Sequence, residues 1–413
     1  MQHQLGKADI VTMKRIRLGL AGLILTYMLT GCGLAADGTV VSAGETADGA
    51  GQEPEDGEES GMDTTSWEES LQKMFEDPYG DYRETGGEIV LLTDGPVEDG
   101  GYNEAVYNGV RMYALGAGKS FSYYNANPDD LESYRKLVER SVQENAGIIV
   151  CVGDTFGQTV GGMQESCPQT SFLLIDSVPH SAEGEELSIA PNVHCVLFHE
   201  EQAGYLAGYM AVWEGYRNLG FVGGKEEPAV MRYGYGYLQG IDAAAKDLSL
   251  DDVVVKYWYA GTFLPDIAVR EKADGWYESG TQVIFACGGG IYESVLEAAE
   301  NQDGLLIGAD VDQARVSDRF LTSAVKNINT AVTDTLDSFY ADRGWSEAEA
   351  GQVKRYGVEE GCAAIPVVDT EWRFKEVSTT LFFEIYKQMK RGDRAVSDDI
   401  SAPPSVAVTV NFE

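Results

Sequence analysis

The chain has 413 residues, 44% of them hydrophobic, and a formal charge of -37 from 67 acidic against 30 basic residues. That length exceeds one small core and implies about two domains. The charge excludes a nucleic-acid surface, which needs clustered Lys and Arg to release counterions.

In chain order, Lys14, Arg15 and Arg17 flank the apolar stretch LGLAGLILTYML, which is too short to favour a permanent span and reads as an export signal. It ends in LTGC, Leu29 to Cys32, which is similar to a bacterial lipobox whose cysteine is lipidated and becomes N-terminal on cleavage. An ordinary signal peptide with a chance cysteine is the alternative, and Met13 is an alternative start. Residues 1–32 are therefore read as a lipoprotein signal. Residues 33–85 are read as an acidic tether, because Gly, Ala, Ser, Thr, Asp and Glu dominate from Gly33 to about Glu69 and cannot bury enough surface to offset ordering entropy.

From about residue 86 short apolar runs alternate with amphipathic stretches. EIVLL (88–92), GIIVCVG (147–153), SFLLID (171–176) and NVHCVLF (192–198) read as buried strands, with helices over 103–117 and 130–146. A second series begins with the helix EEQAGYLAGYMAVWEG. It continues through NLGFVGG, MRYGYGYLQGIDAAAK, VVVKYWY, AVREKADGWYESG, QVIFACGGG, ESVLEAAEN and GLLIGAD. Such alternation predicts parallel sheets with crossover helices, and two series predict two Rossmann-like lobes.

In open parallel sheets ligands bind beyond the carboxyl ends of the strands. Several strands end in acids or glycines: Asp154, Asp176, Gly288 to Gly290, and Asp310. The segment DGGYNEAVYNG (99–109) adds Tyr102 and Tyr107 beside Asn103, and Phe263 follows YWYAGT in the second series, so rings from both halves can hold a planar solute. Stacking of this kind contributes roughly 1–3 kcal/mol per base.

Motifs for chemistry are lacking. CGGGIYES does not have the G-x-G-x-x-G spacing, and no G-x-S-x-G elbow, Walker A loop or HExxH helix occurs. Four histidines (His3, His180, His194, His199) leave little material for a metal or catalytic centre. Beyond Cys32, the odd set Cys151, Cys167, Cys195, Cys287 and Cys362 argues against a disulfide framework, and without a CxxC pair structural zinc is not expected. No cofactor, metal or catalytic residue is predicted.

Several segments together resemble the basic membrane protein family, the PnrA-like lipoproteins that bind nucleosides for ABC importers. They are EDGGYNEAVYNG, FHEEQAGYLAGYMA, LGFVGGKEEPAVMRYGYGYLQGI, QVIFACGGG, IGADVDQ and LTSAVKNINTAV, in the expected order. The resemblance implies a type I periplasmic-binding-protein fold with a three-segment hinge. One lobe would span 86–198 with 326–361, the other 199–325 with 362–413. It implies an extracytoplasmic, lipid-anchored monomer that closes on a nucleoside, a purine one by preference, and delivers it to an ABC permease. A surface lipoprotein that senses the same ligand for a membrane partner, a binder of another ring-plus-polyol solute, and an enzyme acting on nucleosides are the alternatives.

Carried over by position, Asp99 and Asn103 would approach the ligand from the first strand-end loop. Tyr107 and Phe263 would stack on the base, and Asp176 would recognise the ring. Gly289 would allow close approach, Asp310 would accept ribose hydroxyls, and Lys326 would donate to the sugar. Asp154 is added from its strand-end position alone. The family's Asp-Pro-x-Lys-Gly-Lys pattern is broken here to LPDIAVREK, Tyr102 replaces a common Phe, and the first loop, TDGPVEDGG, is short.

Overall fold

Thirteen strands and nine helices form two sheets in a computed structural model that describes residues 89–98, 100–128, 130–367 and 370–413. All of these lie in one compact unit of the chain. The signal, the tether, Cys32 and Asp99 lie outside the described residues.

The first sheet is parallel throughout, in the order β11-β5-β4-β3-β1-β2. Its strands are β1 (Ile89–Thr93), β2 (Phe121–Asn125), β3 (Ile148–Val152), β4 (Ser171–Ile175), β5 (Val193–Phe198) and β11 (Val353–Tyr356). The central strands are buried from end to end because helices cover both faces, which is why they read as continuous apolar runs. Along β1, Ile89 and Leu91 pack with α1 (Tyr102–Gly116) and α8 (Ile328–Ala341), whereas Val90 and Leu92 pack with α2 (Leu131–Gln143) and α3 (Asp154–Met163).

The second sheet has the order β12-β10-β9-β8-β6-β7-β13 and is parallel except for the short edge pairing of β12. It contains β6 (Asn218–Gly223), β7 (Val254–Tyr259), β8 (Val283–Cys287), β9 (Leu305–Asp310), β10 (Phe320–Lys326), β12 (Ala363–Ala364) and β13 (Thr409–Phe412). The helices α4 (Glu200–Trp213), α5 (Pro228–Leu248) and α9 (Thr379–Lys390) cover one face. The other face is covered by α6 (Ile267–Glu278) and α7 (Ile291–Gln302). The chain passes between the sheets three times: through α4, through α8, and between β11 and β12. The crossings are tied together, since His199 N donates to Tyr356 O (2.9 Å) and Asn327 N to Cys362 O (2.9 Å).

Helices α4 and α5 approach unusually closely. An ideal Cβ on Gly204 would lie 2.2 Å from Tyr233 O, and one on Gly236 only 2.0 Å from Glu201 O. Gly208 and Gly240 repeat the pattern one turn later, so bare backbone at four-residue spacing lets the helices touch. This contact sets Glu200, at the start of α4, beside Arg232 in α5.

Cys151, Cys167, Cys195, Cys287 and Cys362 are all free thiols, and all but Cys167 are buried. No helix among the described residues is long and apolar enough to cross a membrane.

Candidate functional site

The strand ends of the two sheets converge on one buried cation. Lys326, the last residue of β10, has a side chain 2% exposed. Its Nζ lies 2.5 Å from Asp176 Oδ2 at the end of β4, 3.2 Å from Asp310 Oδ1 at the end of β9, and 3.5 Å from Glu200 Oε1. One ammonium therefore links carboxylates from both sheets. The rings of Tyr102, Phe198 and Tyr233 surround it at 4.8, 5.1 and 5.6 Å from their centroids, a second source of cation stabilisation. Asp176 and Asp310 both adopt left-handed backbone conformations (φ 60° and 67°). Asp tolerates that region better than most residues, and it turns the chain immediately beyond each strand.

A second cation supports the first. Arg232 Nε donates to Glu200 Oε2 at 2.6 Å, with side-chain exposures of 6% and 0%, while Tyr233 OH donates to Asp310 Oδ1 at 3.2 Å. Burial would raise the Glu200 carboxyl, but Arg232 and Lys326 outweigh it and hold the group below its ordinary value. Burial would also lower Lys326, yet Asp176, Asp310 and Glu200 reverse this and raise it well above an ordinary lysine. Asp176 goes the other way. Burial, assisted by Glu200 and Asp310, outweighs Lys326 and pushes its carboxyl up to about 6. Tyr102 OH donates to Ile175 O (3.2 Å), and its own ionisation is raised by burial and by Asp176.

Beside this cluster is a narrow gap of about 10 Å³. Gly101 and Tyr102 of the first lobe line it on one side. Gly288, Gly289, Tyr292, Asp310 and Gln313 line the other. Gly288 (φ 129°) and Gly289 (φ 53°) lie against Phe263, whose ring would be 2.9 Å from a Cβ on Gly288. A larger hollow of about 310 Å³, lined by Leu131, Arg135, Gln158 and Met163 among others, contains none of these groups.

Of the residues singled out in the sequence, Asp176, Asp310 and Lys326 meet directly, and Gly289 lines the gap with Phe263 behind it. Asn103 is buried at the start of α1, its Nδ2 3.3 Å from the Cβ position of Gly95. Asp154 begins α3 and lies 3.5 Å from His180 Nε2. Tyr107 is not at the gap: its ring packs with Phe121 (5.9 Å) and Tyr123 (5.0 Å) of β2. The reason is helical geometry, since five residues along α1 rotate a side chain by roughly 140° from Tyr102. Tyr102 is the ring that α1 presents to the cluster.

The sequence reading did not single out Glu200, Arg232, Asp94 or Glu227. Asp94 ends β1 as the other acids end their strands, and its carboxylate lies 2.4 Å from the Cβ position of Gly153. Glu227 precedes α5, and its carboxyl is pushed up to about 7 by burial and by Asp154 and Asp94, against the pull of Lys225. An arginine among the tyrosines and glycines of the buried face of α5 was a visible signal for Arg232. Among the described residues, no group of three or more His, Cys, Asp or Glu side chains could hold a metal ion.

Two largely parallel sheets, three crossings and a polar seam between the strand ends define the type I periplasmic-binding-protein fold. Solved structures share this fold. A solute-binding protein of an ABC transporter system from Aeropyrum pernix K1 aligns over 76% of this chain and 88% of its own, with TM-score 0.61 and 19% identity. Another from Conexibacter woesei DSM 14684 aligns over 76% and 99%, with TM-score 0.58 and 17% identity. Residues 87–405 match the family described as "ABC transporter substrate-binding protein PnrA-like" (Bmp), and the chain belongs to that family. It is 28% identical over 286 residues to "Basic membrane protein B" of Borreliella afzelii strain PKo, covering 67% of this chain and 80% of the relative. It is 24% identical over 271 residues to "ABC transporter nucleoside-binding protein BmpA" of Lactococcus lactis subsp. cremoris strain MG1363, covering 60% and 73%. The chain is therefore a substrate-binding protein of an ABC transporter.

Proposed function

We propose that the chain binds a nucleoside, by preference a purine nucleoside, between two closing lobes and passes it to an ABC permease. In this reading the base lies between Tyr102 and Phe263, and Lys326 with Asp310 holds the ribose hydroxyls. Asp176, Asn103, Asp154 and Asp99 are left to meet the base edge. The observation that carries it is the Lys326 ammonium held at once by a strand-end aspartate of each sheet, beside a gap with a tyrosine on one wall and a phenylalanine behind the other. A ribose offers vicinal hydroxyls that such a cation and carboxylate can grip together. The name of the Lactococcus relative supports the solute class.

The lobes would comprise 86–198 with 326–361 and 199–325 with 362–413, and ligand contacts from both would drive closure about the three crossings. A lipid on Cys32, followed by the tether of 33–85, would hold the protein at the extracytoplasmic membrane face. Isothermal titration with purine and pyrimidine nucleosides tests the ligand, and no heat with any of them defeats the reading. Failure of Cys32 to incorporate labelled fatty acid in cells would defeat the anchor separately.

A further inference from the structure

Glu200 and Arg232 are buried, paired with each other and absent from the walls of the gap. A buried ion pair is a poor source of net stability, and apolar residues of similar volume often do as well, so its position calls for another reason. The Glu200 carboxylate lies between two cations: Oε2 accepts from the Arg232 guanidinium at 2.6 Å, and Oε1 faces the Lys326 ammonium at 3.5 Å. Three carboxylates (Asp176, Glu200, Asp310) therefore share two cations (Lys326, Arg232); Tyr102, Tyr233, the Cys287 thiol, Asp94 beside Tyr102, and the His199–Glu201 pair next to Glu200 are further titratable neighbours.

We infer that Arg232 and Glu200 are positioning residues for ligand recognition: Arg232 holds Glu200, Glu200 holds the Lys326 ammonium between the sheets, and the pair sets the charge state of Asp176 opposite. Neither residue touches the solute. The inference rests on the proposed ligand only for its binding readout.

The signs follow from the cluster. Asp176 already sits high because burial and two acids outweigh one lysine. Removing the Arg232 charge in Arg232→Met leaves three acids to one cation and, through the coupling of Arg232 to Asp176, moves Asp176 further up. Removing the Glu200 charge in Glu200→Gln takes away one of the acids that raise it and moves Asp176 down. Packing damage gives no such opposite pair of shifts.

The test measures melting temperature against pH from 4 to 8.5 for the ligand-free wild type, Arg232→Met, Arg232→Lys and Glu200→Gln, each with and without Asp176→Asn. The Asp176-dependent part of the curve should move up in pH for Arg232→Met, down for Glu200→Gln, and stay near wild type for Arg232→Lys. Inosine affinity at pH 7.5 should fall by about tenfold or more in Arg232→Met, the size expected for losing a charge-assisted contact, and recover in Arg232→Lys. Asp176-dependent shifts that are absent, or of the same sign in both charge-removing variants, overturn the inference. If wild type binds no nucleoside, the ligand proposal fails, while the ligand-free series still decides this one. Should Arg232→Met not fold, the Glu200→Gln series decides against Arg232→Lys: a downward Asp176-dependent shift in the first with none in the second supports the inference, and no such difference overturns it.

Discussion

Replacing Lys326 by Met removes a cation that touches carboxylates of both sheets. The side chain is 2% exposed and its partners Asp176, Glu200 and Asp310 are 8%, 0% and 12% exposed, so water cannot take its place. Deleting one member of a buried ion pair typically costs about 3–5 kcal/mol, because the remaining charge is left uncompensated. A body of this size loses about 1–2 °C per kcal/mol, so the melting temperature should fall by about 3–10 °C near pH 8. The loss should depend on pH, with a sign fixed by Asp176. Its folded value, about 6, lies above its ordinary 3.8. The stability linked to its protonation is therefore complete below about pH 4 and lost as pH rises through about 6. Without Lys326 the folded value climbs further, so the variant loses more, over a window reaching to higher pH. The gap between variant and wild type should accordingly be smaller at pH 5 than at pH 8, and adding Asp176→Asn should narrow it at pH 8. Calorimetric scans at the two pH values check this. A gap below about 1 kcal/mol, or one equal at both, would refute the picture of a buried, charge-balanced seam.

Gly236→Ala places a methyl 2.0 Å from Glu201 O, where real Cβ atoms do not come within 3.0 Å, so α4 and α5 must part by about 1 Å. The expected cost is about 1–3 kcal/mol, read as a lower urea midpoint, and an unchanged midpoint would show that the helices do not meet there. Tyr102→Leu should weaken nucleoside binding by about tenfold or more, as loss of a stacking face does. Tyr107→Leu, which alters only the packing on Phe121 and Tyr123, should leave affinity within about twofold in the same titration. Asp310→Ala should weaken inosine more than hypoxanthine, since the free base has no ribose, and equal losses in paired titrations would contradict the sugar assignment.

How much of this was legible depends on where each signal resides. Strands β1, β3, β4 and β8 announce themselves because both faces are buried and all but the terminal Thr93 of β1 and Ser171 of β4 are apolar. Strand β2 was not foreseen: at the sheet edge it is half exposed, and FSYYN carries no continuous run. Helix α3 was hidden by Gly157, Gly161 and Gly162, poor helix formers by propensity. Two of these are required by closeness, since a Cβ on Gly157 would meet Ser177 Oγ at 2.0 Å and one on Gly161 would meet His180 O at 2.7 Å. Helices α8 and α9 return to sheets begun far earlier, a topology that periodicity cannot express and only the family resemblance implied. At the site, strand-end acids were visible one at a time. That Asp176 and Asp310 share Lys326 was not, because 150 residues separate the first from its partner. Choosing Tyr107 over Tyr102 followed a motif position, and the choice turns on the phase of α1, which no motif supplies. Arg232 carried no motif, and its partner Glu200 lies 32 residues earlier, across a crossing between the sheets.

The same crossings explain why the ion cluster lies where it does. Small-molecule pockets are usually about 300–1,000 Å³, whereas the gap at Tyr102 and Gly289 is about 10 Å³, roughly one water. A nucleoside can enter only if the two sheets separate, and the separation must turn on the three crossing segments. Glu200 starts the first crossing, Phe198 and Lys326 end the strands that lead into the first and second, and backbone hydrogen bonds tie both crossings to the third at Tyr356 and Cys362. Lys326 thus lies at the pivot and not at the rim. A pivot moves little when lobes open, so its contacts to Glu200 and Asp310 can persist while the bond to Asp176, across the seam, is stretched. On the proposed function, ribose hydroxyls arriving at that moment would meet an ammonium short of one partner and a carboxylate beside it. The solute would then replace an internal ion pair instead of an uncompensated charge, so solute contacts to both lobes oppose only the cost of exchanging partners.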